Sequence, residues 1–226
     1  MIGYFIIFII LTLIIFAFIR YGISCNKSVI KNITKEDFLN LKSGDLVFVS
    51  YKNFLGNSVR ILSSSEWSHV GMIYKEVSND EESLYVLEVA DYQSSEKFQE
   101  STYSGVIKVP YHIWLNLNKN HKIGFRRLNE DLYEKIKENV FSEFMKLKIY
   151  KQQKLTDISS WKRLMFFDIY DENELLLQEK ITCIEFLVIM LQNLNIMEKN
   201  YKPSSYYPCD LISNTFLTDY EEIKIL

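Results

Sequence analysis

The chain of 226 residues is poor in the residues that hold small disulfide-rich or metal-binding folds together. Its three cysteines, Cys25, Cys183 and Cys209, are widely spaced and form no Cys-x-x-Cys pair. This spacing excludes a disulfide framework and a zinc ribbon, and it favours a reduced compartment. The chain also has no His-Glu-x-x-His or other clustered metal ligands, so the sequence predicts no metal and no cofactor. A Gly-x-Ser-x-Gly motif is missing as well, which argues against a serine hydrolase.

An excess of positive charge is also missing. The net charge is −3 at pH 7, and lysine and arginine are scattered among the acids without forming a basic stripe. Such a surface argues against nucleic acid as a partner. Hydrophobic residues make up 48% of the chain and aromatic residues 15%. That composition supports a packed core and excludes global disorder.

The first 20 residues contain a long apolar run. Ile2–Ile19 has no charged residue, and as a helix it would rise about 27 Å, just enough to cross a bilayer. A cleaved signal peptide would need a basic n-region and a shorter apolar core. Positive charges follow the run at Arg20, Lys27, Lys31 and Lys35. The sequence therefore predicts a single-pass anchor over residues 1–20, a linker over 21–40 and a domain over 41–226. The positive-inside rule places that domain on the cytosolic side.

The predicted domain belongs to the α+β class. Short apolar runs separated by polar turns predict an antiparallel sheet of about five strands, at 46–50, 69–74, 84–90, 105–109 and 122–126. Apolar residues at three- and four-residue steps then predict one helix through 132–147 and a second helix beginning after Thr182. The region 148–180 mixes aromatic and charged residues and is predicted to be an irregular insertion or lid.

Cys183 is the first candidate functional residue. Thr182 and Glu185 form a capping box ahead of an apolar run. The box would place Cys183 in the first turn of a helix, where free N–H groups and the helix dipole favour a thiolate. A buried apolar cysteine that opens a core helix is the alternative interpretation.

A thiolate nucleophile needs a base and a group that orients the base. His69 stands at the start of a predicted strand, whereas His112 and His121 flank a loop and are expected to be solvated. Glu88 shares the face of apolar neighbours on the next strand, so it needs a partner, and His69 lies within reach across the hairpin. A backbone-bonded histidine and a solvated glutamate remain the alternatives.

Several short motifs in fixed order resemble the circularly permuted papain-like amidases, the YiiX/YaeF-type branch of the NlpC-like superfamily, which has bacterial members and relatives in large DNA viruses. The motifs are Gly44–Phe48, Trp67–Met72, Leu87–Ala90, Gly105–Val106, Thr182–Val188 and Pro208–Leu211. The resemblance implies an antiparallel, barrel-like sheet packed against helices, with the histidine ahead of the cysteine in sequence. It also implies Cys183 as nucleophile, His69 as base and Glu88 as the orienting residue. The family usually has serine after the cysteine, where this chain has Ile184.

The resemblance and the apolar segment together lead to a functional expectation. We expect a membrane-anchored cysteine hydrolase (an amidase or peptidase, with thioesterase or acyltransferase activity as variants) that works through an acyl-thioester. The expected substrate is peptide, acylated or lipid-linked, and the expected location is a host or virion membrane. The alternatives are a catalytically silent binding module and a structural virion or membrane protein with the same fold.

Overall fold

The computed structural model describes Thr12 and residues 31–32, 40–63, 65–78, 81–92, 104–152, 180–199, 202–212 and 217–223. Among these residues, no helix has the length and apolar character needed to cross a membrane. The predicted anchor lies outside the described residues except for Thr12, and so does most of the predicted insertion at 148–180.

The main sheet of the described chain has seven strands in the order β1-β9-β6-β2-β3-β4-β5. Its strands are β1 (Lys31–Asn32), β2 (Leu46–Ser50), β3 (His69–Ser78), β4 (Glu81–Asp91), β5 (Ser104–Pro110), β6 (Lys122–Leu128) and β9 (Leu217–Ile223). Two further strands, β7 (Lys151–Gln152) and β8 (Lys180–Ile181), pair with each other. The helices are α1 (Phe54–Ser63), α2 (Tyr111–Asn118), α3 (Glu130–Ile136), α4 (Val140–Leu147), α5 (Cys183–Asn193) and α6 (Pro208–Ile212).

The five predicted strands are neighbours in this sheet and pair antiparallel, which confirms the mixed class of strands and helices. The sheet is wider than predicted. β9 pairs with β6, and β1, within the expected linker, pairs parallel to β9. The described strands pair in a linear order from β1 to β5.

Both faces of the sheet are covered by apolar side chains, as the burial of β2 shows. All five of its residues are buried, as in a strand with apolar layers on both sides. Leu46 and Phe48 join a core with the helices, including Phe144 of α4 and Phe186 of α5. Val47 and Val49 point the other way, into a second core that includes Trp114 of α2. The helix carrying Cys183 therefore packs on one face and α2 on the other.

The predicted single helix through 132–147 is two helices, so that prediction is wrong. α3 ends at Ile136 and α4 begins at Val140. Between them the Asn139 N–H bonds the Ile136 carbonyl at 2.8 Å, a tighter three-residue step than the helix uses. Ile136 and Val140 are both buried, so the apolar periodicity passes through the break and hides it from the sequence.

A buried carboxylate closes the turn before β2. Asp45 accepts hydrogen bonds from the Lys42 N–H at 2.8 Å and from the Leu128 N–H at 2.9 Å, which ties this turn to β6. Gly44 has φ 97°, a left-handed conformation that favours glycine. Burial raises the pKa of Asp45 to about 6, although both backbone N–H groups act to lower it. The fold therefore keeps this carboxyl group protonated to a higher pH than the unfolded chain does.

Candidate active site

Cys183 stands at the N-terminus of α5, as the capping box predicts. The Thr182 hydroxyl accepts from the Glu185 N–H at 3.3 Å, and the Glu185 carboxylate accepts from the Thr182 N–H at 2.7 Å. The helix residues that follow, 184–192, are all buried, which fixes the helix against β3 and β4. Cys183 itself is a free thiol with partial exposure. The sulfur is thus held on a rigid helix end that a reagent can still reach.

His69 is the first residue of β3 and lies opposite Val49 of β2. Its side chain is only 7% exposed, and its Nε2 atom lies 2.7 Å from Oε2 of Glu88, which is 0% exposed. The predicted hairpin brings them together, and its register pairs Met72 with Leu87. The alternatives of a backbone-bonded His69 and a solvated Glu88 are therefore wrong.

Gly71 makes room for the glutamate on the neighbouring strand. A Cβ atom at residue 71 would lie 3.3 Å from the Cβ of Glu88, 3.1 Å from the Leu87 carbonyl oxygen and 3.0 Å from Cγ1 of Val86. These distances are tighter than ordinary van der Waals contact, and two of the three atoms belong to rigid positions. The lack of a side chain at residue 71 therefore helps to set where Glu88 stands.

The Glu88 carboxylate receives two more hydrogen bonds. The Tyr92 hydroxyl donates to Oε1 at 2.8 Å, and the indole N–H of Trp114 donates to Oε2 at 3.1 Å. With His69, three side-chain donors converge on one buried carboxylate, which offsets the loss of water around its charge. Glu88 is thereby committed as an acceptor that orients the imidazole.

The Cys183 thiol acts on the same imidazole and raises its pKa. Since Nε2 faces Glu88, Nδ1 is the nitrogen left for the thiol. Glu88 can only accept, so the hydrogen-bond network assigns a proton to Nε2. The imidazole of His69 is therefore the group on which Glu88, from the neighbouring strand, and Cys183, from a distant helix, both act.

The pKa of His69 is raised well above its ordinary value of 6.5. Burial acts to lower this pKa, but Tyr51, then Cys183, and then the hydrogen bond to Glu88 raise it by more. The imidazolium form therefore persists to higher pH than in an ordinary histidine. An imidazolium between a thiolate and a carboxylate is the form that a cysteine site reaches once the histidine has accepted the thiol proton.

Tyr51, Tyr92 and Trp114 were not predicted as part of the site. The ring of Tyr51 lies 5.4 Å from that of His69 between centroids, and Tyr51 hydrogen-bonds to Tyr92 through its side chain. Trp114 lies on α2, within the stretch between His112 and His121 that the sequence predicts to be a loop. A signal was available, because the buried residues Tyr111, Trp114 and Asn118 have helical spacing.

The other two histidines do not contact Glu88 or Cys183 in the described structure. His112 is exposed, as expected. His121 is half-buried, so its expected solvation is wrong: its Nδ1 accepts from the Lys52 N–H at 3.3 Å, and its ring meets Tyr51 edge-on at 4.9 Å. Burial and then the nearby Lys52 lower the pKa of His121. The described residues contain no cluster of three histidine, cysteine or acidic side chains able to hold a metal ion.

Fold and site together define a mixed protein of helices and strands, with a buried histidine–glutamate pair on its antiparallel sheet and a cysteine at a helix N-terminus. The chain matches no protein-family model and no curated protein. A solved structure is similar: the crystal structure of metalloprotein YiiX from Escherichia coli O157:H7, DUF1105. The two share 15% sequence identity with a TM-score of 0.48, over 78% of this chain and 94% of that one. Membership of the permuted papain-like family stays an expectation from the motifs.

Proposed function

We propose that the chain is a cysteine hydrolase of the amidase or peptidase type, with acyl transfer or thioester cleavage as variants of the same chemistry. The observation that carries the proposal is the arrangement at His69. One imidazole is hydrogen-bonded to a fully buried carboxylate, and a partly exposed thiol raises the pKa of that same imidazole. A thiol, a base and an orienting acid are the parts that nucleophilic catalysis by cysteine requires.

The proposed reaction follows from these contacts. His69 takes the thiol proton, and the Cys183 sulfur attacks the carbonyl carbon of an amide, ester or thioester. The resulting oxyanion is held by the backbone N–H of Cys183. The capping box uses the N–H groups of Thr182 and Glu185. The Cys183 N–H is therefore the donor assigned to the oxyanion.

The tetrahedral intermediate collapses as His69 gives its proton to the leaving amine, alcohol or thiol. Cys183 then carries the acyl group as a thioester. Water, or another acceptor, loses a proton to His69 and attacks that thioester carbonyl. The acid or the transferred product leaves, and the proton returns to Cys183. Throughout these steps Glu88 keeps the imidazole oriented and stabilises its charged form.

The experiment that tests this proposal is covalent labelling of the full chain with a thiol-reactive acyl probe. We expect rapid labelling of the wild type, no labelling of Cys183→Ser, and strongly slowed labelling of His69→Ala. The matched controls are Cys25→Ser and Cys209→Ser, which should label like the wild type. Unchanged labelling of His69→Ala would remove His69 as the base.

We also propose that the hydrolase is anchored to a membrane and acts on a lipid-linked or acylated substrate near it. The support is the uncharged segment Ile2–Ile19 with positive charges after it. The test compares the full chain with a chain lacking residues 1–25, on acylated substrates either free or held in vesicles. The full chain should be faster on vesicle-bound substrate alone, and equal rates everywhere would count against the anchor.

A further inference from the structure

Two tyrosine hydroxyls extend the hydrogen-bond network behind His69. Tyr92 follows β4 and donates to Oε1 of Glu88 at 2.8 Å. Tyr51 follows β2, and its side chain is hydrogen-bonded to Tyr92. Both tyrosines therefore act on the imidazole from positions that the mechanism above does not use.

The direction of the hydrogen bond between Tyr92 and Glu88 follows from which of the two groups carries a proton. A tyrosine has one O–H, and Tyr92 gives its proton to Glu88, which as a carboxylate can only accept. The Tyr51 side chain also interacts with Tyr92. Tyr51 is thereby tethered through Tyr92 to the carboxylate that bonds His69.

Tyr51 also contacts His69 directly. The two rings lie 5.4 Å apart between centroids with their planes 42° apart, and the edge of His121 packs on Tyr51 at 4.9 Å. The titratable groups that face His69 are thus Tyr51 after β2, Glu88 on β4 and Cys183 on α5. Since Glu88 holds one edge of the imidazole and Tyr51 lies against the ring, the ring has little freedom to turn away from Cys183.

We propose that Tyr92 and Tyr51 are positioning residues of the site. Tyr92 fixes the rotation of the Glu88 carboxylate, and Tyr51, anchored on Tyr92, confines the imidazole of His69. The catalytic role of the two tyrosines rests on the proposed function. What they affect directly is the proton affinity and the orientation of the His69 imidazole. Loss of either hydroxyl frees the carboxylate or the ring, so the imidazolium loses stabilisation.

The test is a pH titration of the histidine rings by nitrogen NMR, on the full chain in detergent with labelled histidine. The signals of His69 are those missing from the His69→Gln spectrum. We expect Tyr92→Phe and Tyr51→Phe each to move the His69 midpoint toward lower pH by about one unit, a tenfold loss of proton affinity. The shift in the double variant should be smaller than the sum of the two, because Tyr51 acts through Tyr92.

The matched control is Tyr133→Phe on α3, which should leave the His69 midpoint where it is. Thermal melting checks that each variant is folded, and if Tyr92→Phe is not, the half-buried Tyr51→Phe carries the test alone. An unchanged midpoint in the folded tyrosine variants would overturn the inference.

A second measurement separates this inference from the proposed function. The rate at which iodoacetamide alkylates Cys183 is followed against pH in the same proteins. If His69→Gln alkylates like the wild type at every pH, the proposed function fails. If His69→Gln is slow while both tyrosine variants keep the wild-type profile and midpoint, only the positioning role fails.

Discussion

Glu88 and Asp45 are both carboxylates that the fold removes from water, and they differ in what they bind. Asp45, 2% exposed, is held by backbone N–H groups of Lys42 and Leu128. Glu88, 0% exposed, is held by the side chains of His69, Tyr92 and Trp114. The backbone donors to Asp45 connect a turn to a strand. The His69 side chain, in contrast, can transmit the effect of the Glu88 charge to Cys183. Burial alone therefore does not distinguish a structural acid from a functional one; the partners do.

The largest effect that would separate the two acids is on reactivity. Replacing Glu88→Gln keeps the size of the side chain but removes the charge that stabilises the imidazolium. We expect acyl-probe labelling of Cys183 to fall by at least about a hundredfold. The control is Glu76→Gln, a half-exposed acid on β3, which should label at the wild-type rate. A Glu88→Gln rate within twofold of wild type would show that the imidazole needs no carboxylate.

Asp45→Ala should act on stability instead. It leaves two buried N–H groups, of Lys42 and Leu128, without their acceptor, and we expect the free energy of unfolding at pH 5 to fall by about 4 kcal/mol. Urea denaturation measures the loss, and Asp131→Ala, an exposed acid on α3, is the control. In conditions where the variant is folded, labelling of Cys183 should stay near wild type. A large loss of labelling there would end the distinction between the two acids.

The smallest effect is on the pH dependence of stability. The pKa of Asp45 is about 6 in the fold against an ordinary 3.8, so between these values the folded chain binds more protons than the unfolded one. The contribution of Asp45 is therefore fully present below about pH 4 and is lost as pH rises through about 6, by at most about 3 kcal/mol. The difference in unfolding free energy between wild type and Asp45→Ala should shrink from pH 5 to pH 7. A difference that grows with pH would mean that Asp45 is held ionised.

The features that the sequence could predict depend on neighbours along the chain. The capping box at Thr182 and Glu185 needs a spacing of three residues, and the hairpin of β3 and β4 needs two apolar runs and a polar turn. From that hairpin, contact between His69 and Glu88 follows by register. Cys183 could be paired with them only through the order of motifs in the resembling family, and the catalytic roles of all three stay predictions.

The features that could not be predicted from the sequence depend on contacts between distant elements. Trp114 reaches Glu88 from α2, whose polar residues look like a loop although its buried side chains have helical spacing. Tyr92 follows the strand that carries Glu88, and nothing local indicates that its hydroxyl turns back to the carboxylate. The break at Asn139 was hidden because the apolar period continues across it. These contacts are set by how α2 and the sheet pack, which no short window of sequence records.

Gly71 has a consequence for how this chain can diverge. Because the space beside Glu88 is created by a missing side chain, residues 71 and 88 are not free to change independently. A descendant that gains a side chain at residue 71 must shift Val86 or move the glutamate, and with it the tilt of the imidazole. Selection that preserves the reactive sulfur would therefore also preserve glycine at residue 71. A relative with another residue at position 71 is expected to have lost the cysteine chemistry.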